Sequence, residues 1–157
     1  MKILVFSDSH GDNFSMKKAM SYHRDADVVI HLRDSRGEMD ELKMHYTDKM
    51  YYEVKGNCDI GSVKPLFDVI PLCGHKFFIT HGHMYKAKYT LYNLLLAGKE
   101  KDCDFILFGH THVPYNHFED NIYMINPGSC NGRSATYGII EILDKGILTN
   151  IANVYGG

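Results

Sequence analysis

Short apolar runs separated by turn residues dominate the hydrophobic pattern of this chain. Nine of the runs have the length and the Gly, Pro, Asn or Asp boundaries that are typical of β-strands. They are residues 3–6, 27–32, 50–54, 67–72, 76–80, 105–108, 121–125, 137–143 and 147–154. Tight-turn residues at 74–75 and at 144–146 predict a hairpin in each place.

Fewer segments have helical spacing. They are residues 13–24, residues 90–101 and, more weakly, residues 38–45. The first places Phe14 on an apolar face and offers Asn13 or Ser15 as its cap, and the second follows a Thr90 cap. Strands outnumber helices by about three to one, which favours an α/β fold of two packed mixed β-sheets, a β-sandwich flanked by helices.

Composition limits the choice of function. The 157 residues are enough for one domain with a proper core, and we predict a single domain over residues 1–157. The formal charge is −2, without a basic stripe or tail, so neither nucleic acid nor a membrane surface is expected as a partner. Ten histidines are an unusual number, and some of them occur in pairs.

Cysteine usage and the first residues indicate the compartment. The four cysteines are widely spaced and form no C-x-x-C pair, which favours reduced thiols. The apolar run at residues 3–6 is far shorter than the core of a signal peptide, and no apolar stretch approaches the roughly 20 residues of a membrane-spanning helix. We therefore expect a cytoplasmic protein.

Five predicted strands are followed at once by residues that can bind a metal. These residues are Asp8 and His10, then Asp34, then Asn57, then His81 and His83, and finally His110 and His112. Ligands gather at the carboxyl ends of strands in α/β sheets, so the five loops can converge. Oxygen and imidazole ligands without thiolate suit a hard or borderline divalent ion, such as Mn, Fe, Ni, Zn or Co.

Each of these residues also has a simpler interpretation. Asp and Asn are common turn residues, and a single histidine is usually a surface or core polar group. The pair His110 and His112 is stronger, because side chains at i and i+2 of an extended segment share one face. Taken singly the simpler interpretation is favoured, but the complete set favours a metal site.

This set resembles the calcineurin-like metallophosphoesterase family. The match runs, in family order, through Asp8-x-His10, Asp34, Gly56-Asn57, His81 and Gly109-His110-x-His112. The segments "GNCD", "THGH" and "INPGS" further resemble the small YfcE-type phosphodiesterase branch of bacteria and archaea. The resemblance implies a four-layer αββα arrangement around the two sheets.

The resemblance also implies a site with two divalent metal ions, with manganese as the first choice and Ni, Zn, Fe or Co as alternatives. One ion would be held by Asp8, His10, Asp34 and His112, and the other by Asp34, Asn57, His81 and His110. The implied reaction is hydrolysis of a small phosphodiester by in-line attack of a metal-bridging hydroxide. A homo-oligomer is open on this reasoning, since exposed strand edges can pair.

One of these ligands and two further residues have other predicted roles in the active site. Asn57 is predicted to act in catalysis and substrate binding as well as in metal binding. His83 is a candidate proton donor, with orientation of His81 as an equal alternative. Arg133 resembles an arginine that follows the "NPGS" loop in this branch, and it is predicted either to bind a substrate oxygen or to form a structural salt bridge.

Two positions depart from the family pattern. Cys58 stands where the protein-phosphatase branch has a histidine, which points towards small diesters with good leaving groups. Arg33 stands where glycine usually precedes the bridging aspartate. Its side chain is expected to reach over the site or to lie in solvent, at a steric cost if the backbone needs a positive φ. Arg33 is also the feature that favours the alternative function, a catalytically weak binding module similar to the retromer scaffold subunit.

Overall fold

The computed structural model describes residues 1–156, which form ten β-strands, three α-helices and one short 3₁₀-helix. The strands are β1 (Lys2–Phe6), β2 (Val28–His31), β3 (Met50–Glu53), β4 (Phe67–Leu72), β5 (His75–Thr80), β6 (Phe105–Leu107), β7 (Tyr115–Glu119), β8 (Ile122–Asn126), β9 (Thr136–Leu143) and β10 (Gly146–Asn153). The helices are α1 (Asn13–Tyr22), α2 (Glu38–His45) and α3 (Tyr92–Glu100), and the 3₁₀-helix is His83–Tyr85.

The strands form two mixed five-stranded sheets. Sheet A has the order β10-β9-β1-β2-β3, and sheet B has the order β4-β5-β6-β8-β7. In sheet A, β1 and β3 are parallel to β2. On the other side of β1, β9 is antiparallel to β1 and β10 is antiparallel to β9. In sheet B, β5, β6 and β8 are parallel to one another. The predicted hairpins β4–β5 and β9–β10 are both present.

Alternation along β1 explains the layers. Ile3 and Val5 face sheet B and join the core between the sheets, whereas Leu4 and Phe6 face α1 and α2 on the other side. All four side chains are fully buried, as expected for a strand covered on both faces. The apolar run of β1 is continuous because one face of the strand packs against sheet B and the other against the helices.

Sheet B has the same construction. Phe77 and Phe105 lie in the core between the sheets with their rings stacked, 4.1 Å between centroids. Phe78 and Ile106 point outwards and pack with Leu94 of α3. With helices outside both sheets, the arrangement is αββα, which confirms the predicted fold class.

Several details differ from the prediction. β7 was not predicted, because polar residues interrupt Tyr115 and Phe118 in this mostly exposed edge strand, which therefore has no apolar run. The cap of α1 is Asp12 rather than Asn13 or Ser15, since its carboxylate accepts a hydrogen bond from the Ser15 N–H. Phe14 is exposed, not part of the apolar face.

The last difference concerns α3, which begins at Tyr92, two residues after the predicted Thr90 cap. The Thr90 hydroxyl does accept a hydrogen bond from the Tyr92 N–H. Over residues 1–156, the helices are too short and too polar for any of them to cross a bilayer.

Candidate metal centre

Two groups of ligand-type side chains lie where the carboxyl ends of the central strands meet. Asp8, His10 and His112 form one group, called here the Asp8 group. Asp34, His81 and His110 form the other, called the Asp34 group. Within each group the possible ligand atoms lie within 4.8 Å of one another, close enough to share one ion.

The Asp8 group is centred on a buried carboxylate. Asp8 Oδ1 lies 3.2 Å from His112 Nε2 and 3.8 Å from His10 Nε2. The two imidazole rings lie 5.3 Å apart and are tilted towards each other. The other carboxylate oxygen is fixed, because Asp8 Oδ2 accepts hydrogen bonds from the Ser7 hydroxyl and the His110 N–H. Only Oδ1 therefore faces the histidines.

The Asp34 group is centred on His81, which is fully buried. Its Nδ1–H donates to the Leu32 carbonyl at 2.8 Å, so that Nε2 is left as the ring nitrogen that faces the site. His81 Nε2 lies 3.3 Å from Asp34 Oδ2, and the His110 ring lies 5.0 Å from the His81 ring. The Leu32 carbonyl thus fixes the ring so that Nε2, the nitrogen that would bind a metal, faces the site.

The two groups adjoin and span both sheets. Asp8 Oδ1 also lies 3.8 Å from His81 Nε2, so this oxygen is near the histidines of both groups. The Asp8 group takes two residues from the loop after β1 of sheet A and one from the loop after β6 of sheet B. The Asp34 group takes one residue from sheet A, after β2, and two from sheet B.

Unsatisfied buried atoms point into this junction. Asp8 Oδ1, His10 Nε2 and His81 Nε2 are buried and have no hydrogen-bond partner among residues 1–156. Buried polar atoms almost always have a hydrogen-bond partner, so three neighbouring atoms without one need an explanation. A cation is the partner that a carboxylate oxygen and imidazole nitrogens share, and the residues therefore fit divalent metal ions.

The backbone of the site is in a rare conformation. Six non-glycine residues here have positive φ, namely Asp8 (51°), His10 (47°), Arg33 (68°), Asp34 (55°), His110 (69°) and His112 (61°). The left-handed region costs an L-residue about 1–2 kcal/mol. Five of the six belong to the two groups, so the strain is concentrated where the side chains must be aimed.

These φ values correct one sequence argument. The segment that carries His110 and His112 is not extended, because β6 ends at Leu107 and both histidines are left-handed. Their rings do not share a face, and each joins a different group. Thr111 between them is anchored away from the site, since its hydroxyl accepts a hydrogen bond from the buried Asn126 amide at 2.9 Å.

Two glycines are required by close approaches. A Cβ on Gly109 would lie 2.0 Å from Ser7 Oγ and 2.9 Å from Asp8 Oδ2. A Cβ on Gly56 would lie 2.1 Å from Asp34 Oδ1. Either methyl group would displace a carboxylate of the site, because no real Cβ atom tolerates such contacts.

Sequence reasoning missed two buried polar residues that join the loops. Asp59 accepts hydrogen bonds from the backbone N–H groups of Asp34, Ser35 and Gly56, at 3.0, 3.1 and 2.7 Å. His31 accepts from the Arg33 N–H at 2.7 Å and pairs with the Ser9 hydroxyl at 2.9 Å. His31 could have been noticed because a histidine is unusual inside the apolar run of β2. For Asp59, the only indication in the sequence was its place in "GNCD".

Arg33 does not reach over the site, which corrects both expectations for its side chain. It lies in a largely buried ion-pair cluster, with Nη1 2.8 Å from Glu53 Oε1 and Nε 3.4 Å from Asp59 Oδ2. Its backbone does have the positive φ that glycine would favour.

The charges of the Asp34 group are coupled. Burial would raise the pKa of Asp34, but the His81 imidazole and the Cys58 N–H outweigh it and hold that pKa well below its usual range. Burial opposes protonation of His81, yet Asp34 and Asp8 raise its pKa overall. Burial and the neighbouring His81 lower the pKa of His110 to about 4. The group therefore has an ionised carboxylate and a neutral His110 at pH 7, as metal ligation requires.

Glu53, which pairs with Arg33, makes stability depend on pH. Burial would raise its pKa, but Lys43 and Arg33 lower it from 4.5 to about 2. A depressed folded-state pKa contributes stability above pH 4.5 that is lost as the pH falls through 2. The shift corresponds to about 3 kcal/mol at neutral pH.

We expect Glu53→Gln to be less stable than the wild type by about this amount at pH 7, and the gap to close towards pH 2. Urea unfolding across this pH range measures it. Glu119→Gln, at an exposed glutamate of β7, is the matched control and should show a small gap that does not change with pH. A constant gap for Glu53→Gln would contradict the assignment.

The remaining predicted residues lie around the two groups. Asn57 is exposed, and its amide contacts Cys58 Sγ at 3.5 Å rather than a residue of either group. The His83 ring lies 5.4 Å from that of His81 and 6.1 Å from that of His110, and its Nδ1 is buried without a partner among residues 1–156. The hydrogen bond that orients the His81 ring through Nδ1 goes to the Leu32 carbonyl and not to His83.

Arg133 is exposed on the loop after β8 and lines a cavity of about 500 Å³ with Asp12, Gly132 and Tyr155. No ion pair of Arg133 occurs within the described part of the chain. The predicted structural salt bridge of Arg133 is therefore absent from the described residues, and its role in substrate binding stays a prediction.

Comparison with known proteins gives a consistent result. Residues 1–145 match the profile of the calcineurin-like phosphoesterase superfamily domain. "Probable metallophosphoesterase YsnB" of Bacillus subtilis is 33% identical over 148 residues, which cover 90% of this chain and 85% of YsnB. "Phosphodiesterase YfcE" of Escherichia coli is 30% identical, with 97% of this chain and 92% of YfcE covered. A crystal structure of a "predicted phosphoesterase" from Streptococcus pneumoniae superimposes with a TM-score of 0.79 at 27% identity, covering 98% of this chain and 89% of that one.

Proposed function

Because this chain belongs to the calcineurin-like phosphoesterase superfamily, we propose that it is a two-metal phosphodiesterase that hydrolyses small phosphodiesters. The observation that carries the proposal is the pair of adjoining ligand groups with unsatisfied buried atoms between them. A diester is favoured over a monoester by the likeness to YfcE, which is named a phosphodiesterase.

We assign one divalent ion to Asp8, His10, Asp34 and His112, and the other to Asp34, Asn57, His81 and His110. When bound, two such ions lower the pKa of water and neutralise charge on the phosphate oxygens. Asp8 Oδ1 lies within 3.8 Å of histidine nitrogens of both groups, so the two sets of residues that would hold the ions adjoin each other. For Asn57, the assignment requires its exposed amide to turn away from Cys58.

The chain's own residues supply charge and orientation. Asp8 and Asp34 bring two negative charges against the four positive charges of two ions, so that an anionic diester is still attracted. The Leu32 carbonyl, the Ser7 hydroxyl and the Asp59 carboxylate hold His81, Asp8 and the Asp34 loop in place. This fixed arrangement positions the diester for an in-line displacement at little entropic cost.

We assign to His83 the role of hydrogen-bond donor to the leaving group. Burial and the nearby His81 lower the pKa of His83, so its imidazole is neutral at pH 7 in the metal-free protein. A neutral imidazole can still donate one N–H hydrogen bond to the departing oxygen. Cys58, next to Asn57, is a poor proton donor because burial and nearby carboxylates, Asp34 first among them, raise the pKa of its thiol. A diester with a good leaving group suits this arrangement.

Hydrolysis of bis-p-nitrophenyl phosphate tests the proposed activity. We expect the metal-free protein to be inactive and to gain turnover when it is loaded with Mn²⁺, because the ions provide several kcal/mol of transition-state stabilisation. Release of nitrophenolate measures the rate, and elemental analysis measures two equivalents of metal per chain. Ni²⁺, Co²⁺, Zn²⁺ and Mg²⁺ in parallel identify the preferred ion.

The p-nitrophenyl monoester is the control for substrate class, and the diester should be preferred. Absence of turnover with all five ions, in a protein that has bound two equivalents, would exclude the proposed activity. The alternative function, a binding module on the same fold, would then be favoured. The enzyme is favoured over the binding module because both ligand groups are present in the structure.

A further inference from the structure

Arg33 and Asp34 are two consecutive left-handed residues, and Asp34 is the residue that the proposed function assigns to both ions. The backbone of this pair is tied to the first loop of the site. The Asp8 N–H donates to the Arg33 carbonyl at 2.8 Å, and the His10 N–H donates to the Asp34 carbonyl at 3.0 Å. The position of the Arg33–Asp34 peptide therefore bears on both ligand groups.

The Arg33 side chain extends away from the ligand groups into the ion-pair cluster. Its side chain is 15% exposed, and that of its partner Glu53 is 2% exposed. Glu53 accepts from Lys43 as well, and it lies 3.4 Å from Lys64 Nζ. A buried carboxylate with several cations around it is a fixed anchor, and the guanidinium fork of Arg33 binds it in a defined direction.

Asp59 connects this anchor to the site. Its Oδ2 accepts from the N–H groups of both Asp34 and Gly56 and lies 3.4 Å from Arg33 Nε. The Asp34 carboxylate in turn accepts from the Cys58 N–H at 2.8 Å. Glu53, Arg33, Asp59 and Asp34 thus form one continuous chain of contacts from β3 to the ligand atoms.

We propose that Arg33 is a positioning residue for Asp34, which acts through Asp59 and Glu53 to hold the Asp34 carboxylate in the orientation that metal binding needs. This inference rests on the proposed assignment of Asp34 as a metal ligand. Arg33 itself touches neither an ion nor the substrate.

Electrostatics alone predicts the opposite effect. A cation close to a metal site repels the metal ion, so removal of Arg33 would tighten binding if charge were its only contribution. Removal of a positioning residue loosens binding, since the partners that orient a ligand are typically worth 10–100-fold in metal affinity. Whether metal affinity rises or falls when Arg33 is removed therefore distinguishes a purely electrostatic effect from a positioning role.

The test measures metal affinity without turnover. Metal-free wild type, Arg33→Met and Arg33→Lys are titrated with Mn²⁺ by calorimetry and with Co²⁺ by visible absorption. We expect Arg33→Met to bind about 10–100-fold more weakly, with an altered Co²⁺ spectrum. Arg33→Lys retains the charge but not the fork, and it should recover only part of the affinity.

Arg36→Met is the matched control. Arg36 lies on the same loop, is exposed and has no ion pair within residues 1–156. Its loss changes the local charge by the same amount without touching the contact chain, so affinity should be unchanged or slightly higher. Glu53→Gln breaks the anchor at its other end and should reproduce the weakening seen for Arg33→Met.

Affinity of Arg33→Met equal to or tighter than that of the wild type would overturn the proposal. So would an unchanged Co²⁺ spectrum together with a lower melting temperature, since that is the result of a purely structural ion pair. If Arg33→Met does not fold, Arg33→Lys and Glu53→Gln decide by the same criteria. A wild type that binds two ions but hydrolyses no diester would refute the proposed activity and leave this inference standing.

Discussion

Replacement of Asp34 by asparagine is expected to abolish diester hydrolysis, with a loss of about 10³-fold or more. The carboxylate is assigned to both ions, and the ions together account for several kcal/mol of transition-state stabilisation. Asparagine has the same shape and can still accept the hydrogen bond from the Cys58 N–H, so the fold should persist. Turnover of bis-p-nitrophenyl phosphate and metal content by elemental analysis check the two parts of this expectation.

Asp68→Asn is the matched control. Asp68 is exposed on β4, belongs to neither ligand group, and accepts a local hydrogen bond that asparagine can keep. Its rate and metal content should equal those of the wild type. Asp34→Asn with wild-type turnover and two bound ions would contradict the assignment of Asp34 as a ligand.

Replacement of Gly109 by alanine is the second change with a large expected effect. The added methyl group would overlap the Ser7 hydroxyl and press on Asp8 Oδ2, the oxygen that fixes the Asp8 carboxylate. Overpacking of this kind typically costs about 1–3 kcal/mol. We expect a lower free energy of unfolding and also weaker metal binding, because Asp8 has to move. Urea unfolding and calorimetric titration with Mn²⁺ measure the two effects.

Gly74→Ala is the control that separates the effect of backbone strain from the effect of displacing Asp8. Gly74 has φ of 78° in the β4–β5 turn, and a Cβ there meets nothing within 4 Å. Alanine at this position should cost about 1 kcal/mol of backbone strain and leave metal affinity unchanged. Equal metal affinity for Gly109→Ala and the wild type would show that Asp8 does not need its present position.

The fold could be predicted because the sequence encodes burial directly. β1 has an uninterrupted apolar run since both of its faces are covered, and that run alone identifies a central strand. β7 could not be found in this way, because Asn116, His117 and Glu119 interrupt its two aromatic residues and its pairing with β8 holds it in place. Hydrophobic pattern predicts what is buried, and it says little about what is merely hydrogen-bonded.

The candidate site was predictable in part for a similar reason. His81 and His110 follow strands that end at the same edge, so their convergence follows from chain order and sheet polarity. The partner of Arg33 was not predictable, since Glu53 lies 20 residues away and meets it only through sheet pairing. The left-handed conformation of His110 and His112 also depends on tertiary contacts, which is why the extended-segment argument was wrong.

Each ligand group contains residues from both sheets, so an ion bound to either group would cross-link the two sheets. A ligand that binds only the folded state adds about 2.7 kcal/mol of stability at a hundredfold excess over its dissociation constant. Metal supply would then govern how much folded protein a cell retains as well as how fast that protein works. Under metal starvation, abundance would fall together with rate.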